Sequence, residues 1–171
     1  MTIDKEEKDI QALWILAHAN SAVFAGPLAA KLSERSIRQW QAGLHAEALA
    51  SSEGAVSLLR ELRESSPQDH VATFGAALIN LGNCYFGMNR NEEALAVTTE
   101  AVSLLRNAPP GELYDLLPSF AMGLSNMGTI LANQKQWEKS IDPTIEAVSL
   151  YRSLAKSDPA THRPSRAHLL P

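Results

Sequence analysis

The sequence predicts an all-α fold, an α-solenoid of antiparallel helix pairs in which about three repeats of 46 residues follow an N-terminal helix. Three observations predict it: an octapeptide that returns twice at a fixed interval, apolar residues at helical steps within each unit, and Pro, Gly and Asn residues where helices would have to end.

The interval sets the register. EGAVSLLR at 53–60 returns as TEAVSLLR at 99–106 and as IEAVSLYR at 145–152, so that Ala55, Ala101 and Ala147 lie 46 residues apart. Glu47-Ala48-Leu49-Ala50 precedes Glu93-Ala94-Leu95-Ala96 by the same step, Leu32, Leu78 and Leu124 share one phase, and Asn80 with Gly82 returns as Asn126 with Gly128. Residues 27–60 agree with 73–106 at 12 of 34 positions, and 73–106 agree with 119–152 at 12 again. Unrelated segments of ordinary composition would agree at roughly two.

Residues 1–26 hold one predicted helix over 4–24, with Asp4 and Glu7 spaced as a capping box, Ile10, Leu13, Trp14, Ala17, Ser21 and Phe24 on one side, and Gly26-Pro27 as its stop. It is a cap or a worn repeat. Three hairpins follow at 27–65, 70–108 and 117–156. Their first helices carry Phe74, Leu78, Leu81 and Tyr85, then Phe120, Leu124, Met127 and Leu131, the spacing of a helix face rather than the alternation of a strand. Their second helices carry Leu95, Thr98, Val102 and Leu105, then Ile141, Ile145, Val148 and Tyr151, with Ala101 and Ala147 where two helices can approach closely.

The breaks agree with this division. Gly43, Asn89 and 133–136 fall between paired helices, while Ser66-Pro67, Ala108-Pro109-Pro110-Gly111 and Asp158-Pro159 fall between units. Pro143 lies inside the last second helix and removes the amide that would bond to the Lys139 carbonyl, so a kink near residue 140 is expected. Residues 157–171 begin a further repeat: PSRAHLL at 164–170 stands in the phase of PSFAMGL at 118–124, as expected of a fragment or of a chain that lost its remaining repeats.

Composition narrows the function classes. A formal net charge of -4 with interspersed signs gives no basic stripe for nucleic acid or an anionic membrane surface. The N-terminus is acidic where a signal peptide is basic, and no apolar run approaches the roughly 18 residues of a membrane span. A single cysteine, Cys84, and no Asn-x-Ser/Thr sequon point to a reducing, cytosolic compartment.

These residues resemble the tetratricopeptide repeat (TPR) in its long variant, as found in kinesin light chains. Leu81-Gly82-Asn83-Cys84-Tyr85 matches the family's L-G-x-x-Y, Ala94 and Ala101 its two small interface positions, and NRNEEAL and KQWEKSI its inter-helix turn and second-helix start. The resemblance covers 27 to about 156. Ser36 stands where the glycine is expected, Ser140 replaces one alanine, and Arg60, Arg106 and Arg152 stand near the family's proline, which suggests longer second helices. The resemblance implies a right-handed superhelix whose first helices line a concave groove for a peptide or helix. Carried over by register, the groove comprises Ser33, Ile37 and Gln41, then Ile79, Asn80, Asn83 and Phe86, then Ser125, Asn126, Thr129 and Asn133. Asn80 and Asn126 share a phase, and an amide that both donates and accepts suits clamping a ligand backbone; the competing reading is that they bridge adjacent helices. The groove lacks the basic cluster of members that hold a C-terminal carboxylate, so an uncharged or mildly apolar ligand is preferred.

Chemistry finds little footing. Cys84 has no histidine in its phase and reads as packing, and the five histidines show no metal-ligand spacing, which leaves them as surface residues. Glu6-Glu7 and Glu92-Glu93 point to different sides of a helix and serve better near helix N-termini than as an acid and base pair. No phosphate-cradling glycine motif occurs. Trp14, Trp40 and Trp137 read as core or inter-helix packing rather than a base-stacking platform. The sequence therefore predicts a non-enzymatic scaffold without cofactor or metal whose partner is a protein or peptide. The alternative is a self-association module that forms a homo-oligomer through the last helix and the C-terminal stub Ala167, Leu169 and Leu170.

Overall fold

In the computed structural model, which describes residues 3–65, 70–108 and 113–157, the 46-residue interval reappears as backbone geometry. The chain forms α1 (Ile3–Ala19), α2 (Ser21–Gln41), α3 (His45–Ser65), α4 (Val71–Gly87), α5 (Asn91–Arg106), α6 (Leu113–Asn133) and α7 (Trp137–Ser157), with no strand among the described residues. The turns α2–α3, α4–α5 and α6–α7 are copies of one another. Each has one left-handed residue, Gly43 at φ 79°, Asn89 at 61° and Lys135 at 61°. The next residue closes each turn: Leu44 N–H donates to the Gln39 carbonyl, Arg90 to Tyr85 and Gln136 to Leu131, all at 2.9 Å. This is the 6→1 bond of a Schellman end, and Gly and Asn tolerate its left-handed residue; Lys135 is held there at some cost.

Burial follows the same register. Leu32, Leu78 and Leu124 are buried on the first helices, and Ala55, Ala101 and Ala147 on the second, where the lack of a larger side chain lets paired helices approach. Each fully buried leucine contributes about 1.5–3 kcal/mol of transfer free energy. Each helix packs against the next, and α2 touches α4 as α4 touches α6; among the described residues no contact joins α1 or α2 to α6 or α7. The core is thus one continuous cluster running along the row.

The departures from family pattern have local reasons. Ser36 faces Ser52 and the two hydroxyls hydrogen-bond at 2.7 Å, whereas one interval on Gly82 faces the larger Thr98. Ser140 turns its hydroxyl back to the Trp137 carbonyl at 2.7 Å. Past the arginine positions α3 continues to Ser65 and α7 to Ser157, while α5 stops at Arg106.

Three boundaries differ from the sequence reading. The N-terminal helix breaks at Asn20 rather than at Gly26-Pro27, and α2 starts at Ser21 with Pro27 inside it. Pro27 frees only the carbonyl of Val23, a residue 55% exposed, so the lost bond lies where water can replace it. α6 likewise starts at Leu113, upstream of 117, with Pro118 inside. Asp4 lies within α1 rather than at its cap, and the Glu7 carboxylate meets Arg35 of α2 at 2.8 Å. α7 runs as one element through Pro143. Ser66-Pro67, Pro109-Pro110-Gly111, Asp158-Pro159 and the stub lie outside the described residues.

α1 ends at Ala19 and α3 at Ser65, one interval apart, which sets Glu7, Ile10 and Leu13 in the register of Glu53, Val56 and Leu59. α1 therefore stands in the register of a second helix, packed on α2 as α3 packs on α4.

Between second helices runs a ladder of ion pairs, Arg60 to Glu100 at 2.5 Å and Arg106 to Glu146 at 2.6 Å, again 46 residues apart. All four side chains are more than a third exposed, so screening dominates. A double-mutant cycle on Arg106→Ala and Glu146→Ala is expected to give a coupling of about 0.2–1 kcal/mol in chemical denaturation. A coupling of several kcal/mol would mean that the pair is a structural clamp rather than a solvated ladder.

Candidate functional site

The first helices α2, α4 and α6 each turn one stripe away from the core, and the register stacks these stripes side by side. Ile37, Asn83 and Thr129 form one exposed row, and Gln41, Gly87 and Asn133 a second. Glu34 is exposed in the row that continues with half-buried Asn80 and Asn126. Ser33 and Ser125 are half-buried beside these rows, and Phe86 is half-buried near the end of α4.

Ile79 does not belong to the surface. It is 0% exposed, and its Cδ1 lies 3.5 Å from the point where a Cβ on Gly123 of α6 would stand. Its row, 33, 79 and 125, turns toward the neighbouring first helix, so in the middle of the array the side chain is covered by α6. Met122 was missed by the sequence reading. It is 37% exposed and stands at i−4, i−7 and i−11 from Asn126, Thr129 and Asn133, so helical spacing alone could have placed it on the stripe.

Amides tie the stripes together. Asn126 Nδ2 donates to Asn83 Oδ1 at 2.8 Å, joining α6 to α4, and Asn91 Nδ2 donates to Asn133 Oδ1 at 3.1 Å, joining α5 to α6. One interval before the Asn83–Asn126 pair the register sets Asn80 opposite Ile37, whose side chain has nothing to offer an amide. The two asparagines are thus unequal: Asn126 bridges helices, and Asn80 faces a hydrocarbon.

Beside the stripe, Tyr85 donates its hydroxyl to Glu53 at 2.9 Å, and the Arg90 guanidinium lies 4.4 Å from its ring centroid. Burial, then the Glu53 carboxylate, raise the phenol above its ordinary range. The hydrogen bond from Arg90 holds Glu93 below the usual carboxylate value. This cluster links α3 to α4 and closes the turn into α5; it offers no paired acid and base.

Comparison of the chain with protein-family models, with curated proteins and with solved structures gives no match. Cys84 is buried, and the Ser36 and Ser52 hydroxyls lie 3.7 Å from its sulfur, a packing environment rather than an activating one. Trp40 covers Gly87 and sits 4.2 Å, centroid to centroid, from His45, which fits the packing reading. Trp137 does not fit it: the residue is 62% exposed, in the register of exposed His45 and half-buried Asn91. Trp14 is 40% exposed as well. No helix among the described residues is long and apolar enough to cross a membrane.

Proposed function

We propose that the chain is a TPR-like α-solenoid, a non-enzymatic cytosolic scaffold that holds a peptide or helix of a partner protein across the stripe of its first helices. The observation that carries this reading is the alignment of exposed, small and uncharged side chains, Asn83, Thr129 and Asn133, over helices whose adjoining faces are buried. Amides and a hydroxyl can pair with the main chain of a ligand whatever its side chains, and Ile37 and Met122 add apolar contact at either end.

The test is a peptide library displayed against the intact protein and against the Asn80→Ala, Asn126→Ala double variant. The variant is expected to lose most of its capture while its melting temperature falls by only a few degrees, since one exposed amide bridge is worth about 0.5–1.5 kcal/mol. Undiminished capture removes Asn80 and Asn126 from the binding surface. A collapse in stability makes the asparagines structural.

A second reading, self-association through the ends of the row, is favoured by one observation. Ile141 and Ile145 of α7 are 52% and 63% exposed at an i, i+4 spacing, beside Trp137.

A further inference from the structure

We infer that the groove between the C-terminal halves of α1 and α3 is a binding site for one arginine side chain of a partner peptide, with the Trp14 ring as its platform and Glu61 as its counter-charge.

The groove has a volume of about 300 Å³, and the first turns of α2 line it together with α1 and α3. It lies at the small end of ligand-sized clefts, with room for a single long side chain and not for a helix. The register explains why it is there. Between later second helices an arginine crosses to a glutamate, Arg60 to Glu100 and Arg106 to Glu146. One interval earlier those positions hold Trp14 and Gly54, so no such rung joins α1 to α3. Ala17 and Ala25, both in the lining, stand where the next unit has the larger Arg63 and Val71.

The later junctions also show what fits. Arg63 holds its guanidinium 5.5 Å from the Phe74 ring centroid, and Arg106 lies 5.4 Å from that of Phe120 while pairing with Glu146. The counterpart of both phenylalanines is Leu28, and the ring at the first junction is Trp14 itself, standing in an arginine's register. Ring and carboxylate are thus present without the cation. Trp14 is 40% exposed, and the exposed Glu61 has no hydrogen-bond or ion-pair partner among the described residues. No lysine or arginine lines the groove among those residues, and 65–69 contain none. Arg35 and Arg38 of α2 are engaged towards the other end of α1, with Glu7 and Glu6.

A guanidinium stacks on an indole face and offers its planar fork to a carboxylate at the same time, which a lysine ammonium does less well. The stem of the side chain can lie along Leu58 and Leu62. The helix ends at Ala19 and Ser65 bring partial negative charge to this region against the single N-terminus at Ser21, a balance that also favours a cation. The site is separate from the first-helix stripe, since Ser21 opens α2 whereas Ile37 and Gln41 lie near its end.

His18 lines the groove too, its ring centroid 6.0 Å from that of Trp14. The test is therefore made at about pH 8, where an ordinary imidazole carries no charge. Titration of the isotope-labelled full chain with acetyl-Gly-Arg-Gly amide, followed by NMR, is expected to move the Trp14 indole N–H signal saturably and to leave those of Trp40 and Trp137 in place. Trp14→Phe and Trp137→Phe assign the three signals. The same tripeptide with citrulline for arginine, similar in shape but uncharged, should give no saturable shift. Glu61→Gln is expected to weaken arginine binding about threefold. Trp14→Leu, read on the backbone amides of Ala22 and Ala25, should weaken it about fivefold. An unmoved Trp14 signal, citrulline binding as tightly as arginine, or undiminished affinity in Glu61→Gln overturns the inference. None of these outcomes bears on peptide capture by the first-helix stripe, which is read separately.

Discussion

Replacing Leu105 by alanine is expected to destabilise the protein by about 2–5 kcal/mol, near the upper end of that range. Leu105 is 0% exposed on α5, and its isobutyl group fills the space that a side chain at Gly75 of α4 would need; a Cβ there would stand 2.7 Å from Leu105 Cδ2. Gly75 has nothing with which to refill the hole. The surrounding helices are fixed by close contacts at Gly82 and Gly123, so collapse is restricted and a cavity remains. Tyr151 occupies the same register on α7 but is only half-buried, so Tyr151→Ala should cost distinctly less despite removing the larger side chain. Urea denaturation of the two variants reads the difference. Equal costs would mean that the middle and the end of the row are packed alike, contrary to the burial seen along it.

How much of this was legible in the sequence differs from feature to feature for physical reasons. The interval was, because it is written in residues that the geometry restricts: Gly43 and Asn89 accept a left-handed turn, and Ala55, Ala101 and Ala147 sit where only a small side chain fits. The helix starts were not. Gly26-Pro27 reads as a stop, yet a proline early in a helix removes a single bond, and α2 runs through it. Ile79 was misplaced because its row faces sideways, so its burial depends on the helix two elements on rather than on its own periodicity. Trp137 was misplaced for a different reason: its position is at the surface throughout the repeat, with His45 exposed and Asn91 half-buried, so an aromatic residue there is no sign of an interior site. On the stripe, Asn83, Thr129 and Asn133 stand exposed. That Asn126 bridges while Asn80 does not depends on Ile37 in another unit, and only the fold sets those residues side by side.

Gly82→Ser is expected to cost about 1–3 kcal/mol by overpacking, against a gain of roughly 0.5 kcal/mol in helix propensity. A Cβ at position 82 would come 2.5 Å from Thr98 Oγ1, and Thr98 is 1% exposed with its hydroxyl unpartnered. One unit earlier the molecule holds the alternative solution, Ser36 against Ser52, with the Ser36 hydroxyl donating to the Ala48 carbonyl at 2.7 Å. Adding Thr98→Ser to Gly82→Ser removes the β-branch that fixes the obstructing hydroxyl, so that it can turn away from the new Cβ, and gives two hydroxyls that can satisfy each other and the Ala94 carbonyl. The double variant should therefore regain more than half of the loss, although Thr98→Ser alone deletes a buried methyl worth about 0.8 kcal/mol. Recovery is expected to stop short of complete because the Ser36–Ser52 pair faces the sulfur of Cys84, whereas position 130, its counterpart, is a buried isoleucine that offers no polar contact. A thermodynamic cycle over the four proteins measures the coupling, and additive costs would show that the glycine at 82 answers to something other than the threonine facing it.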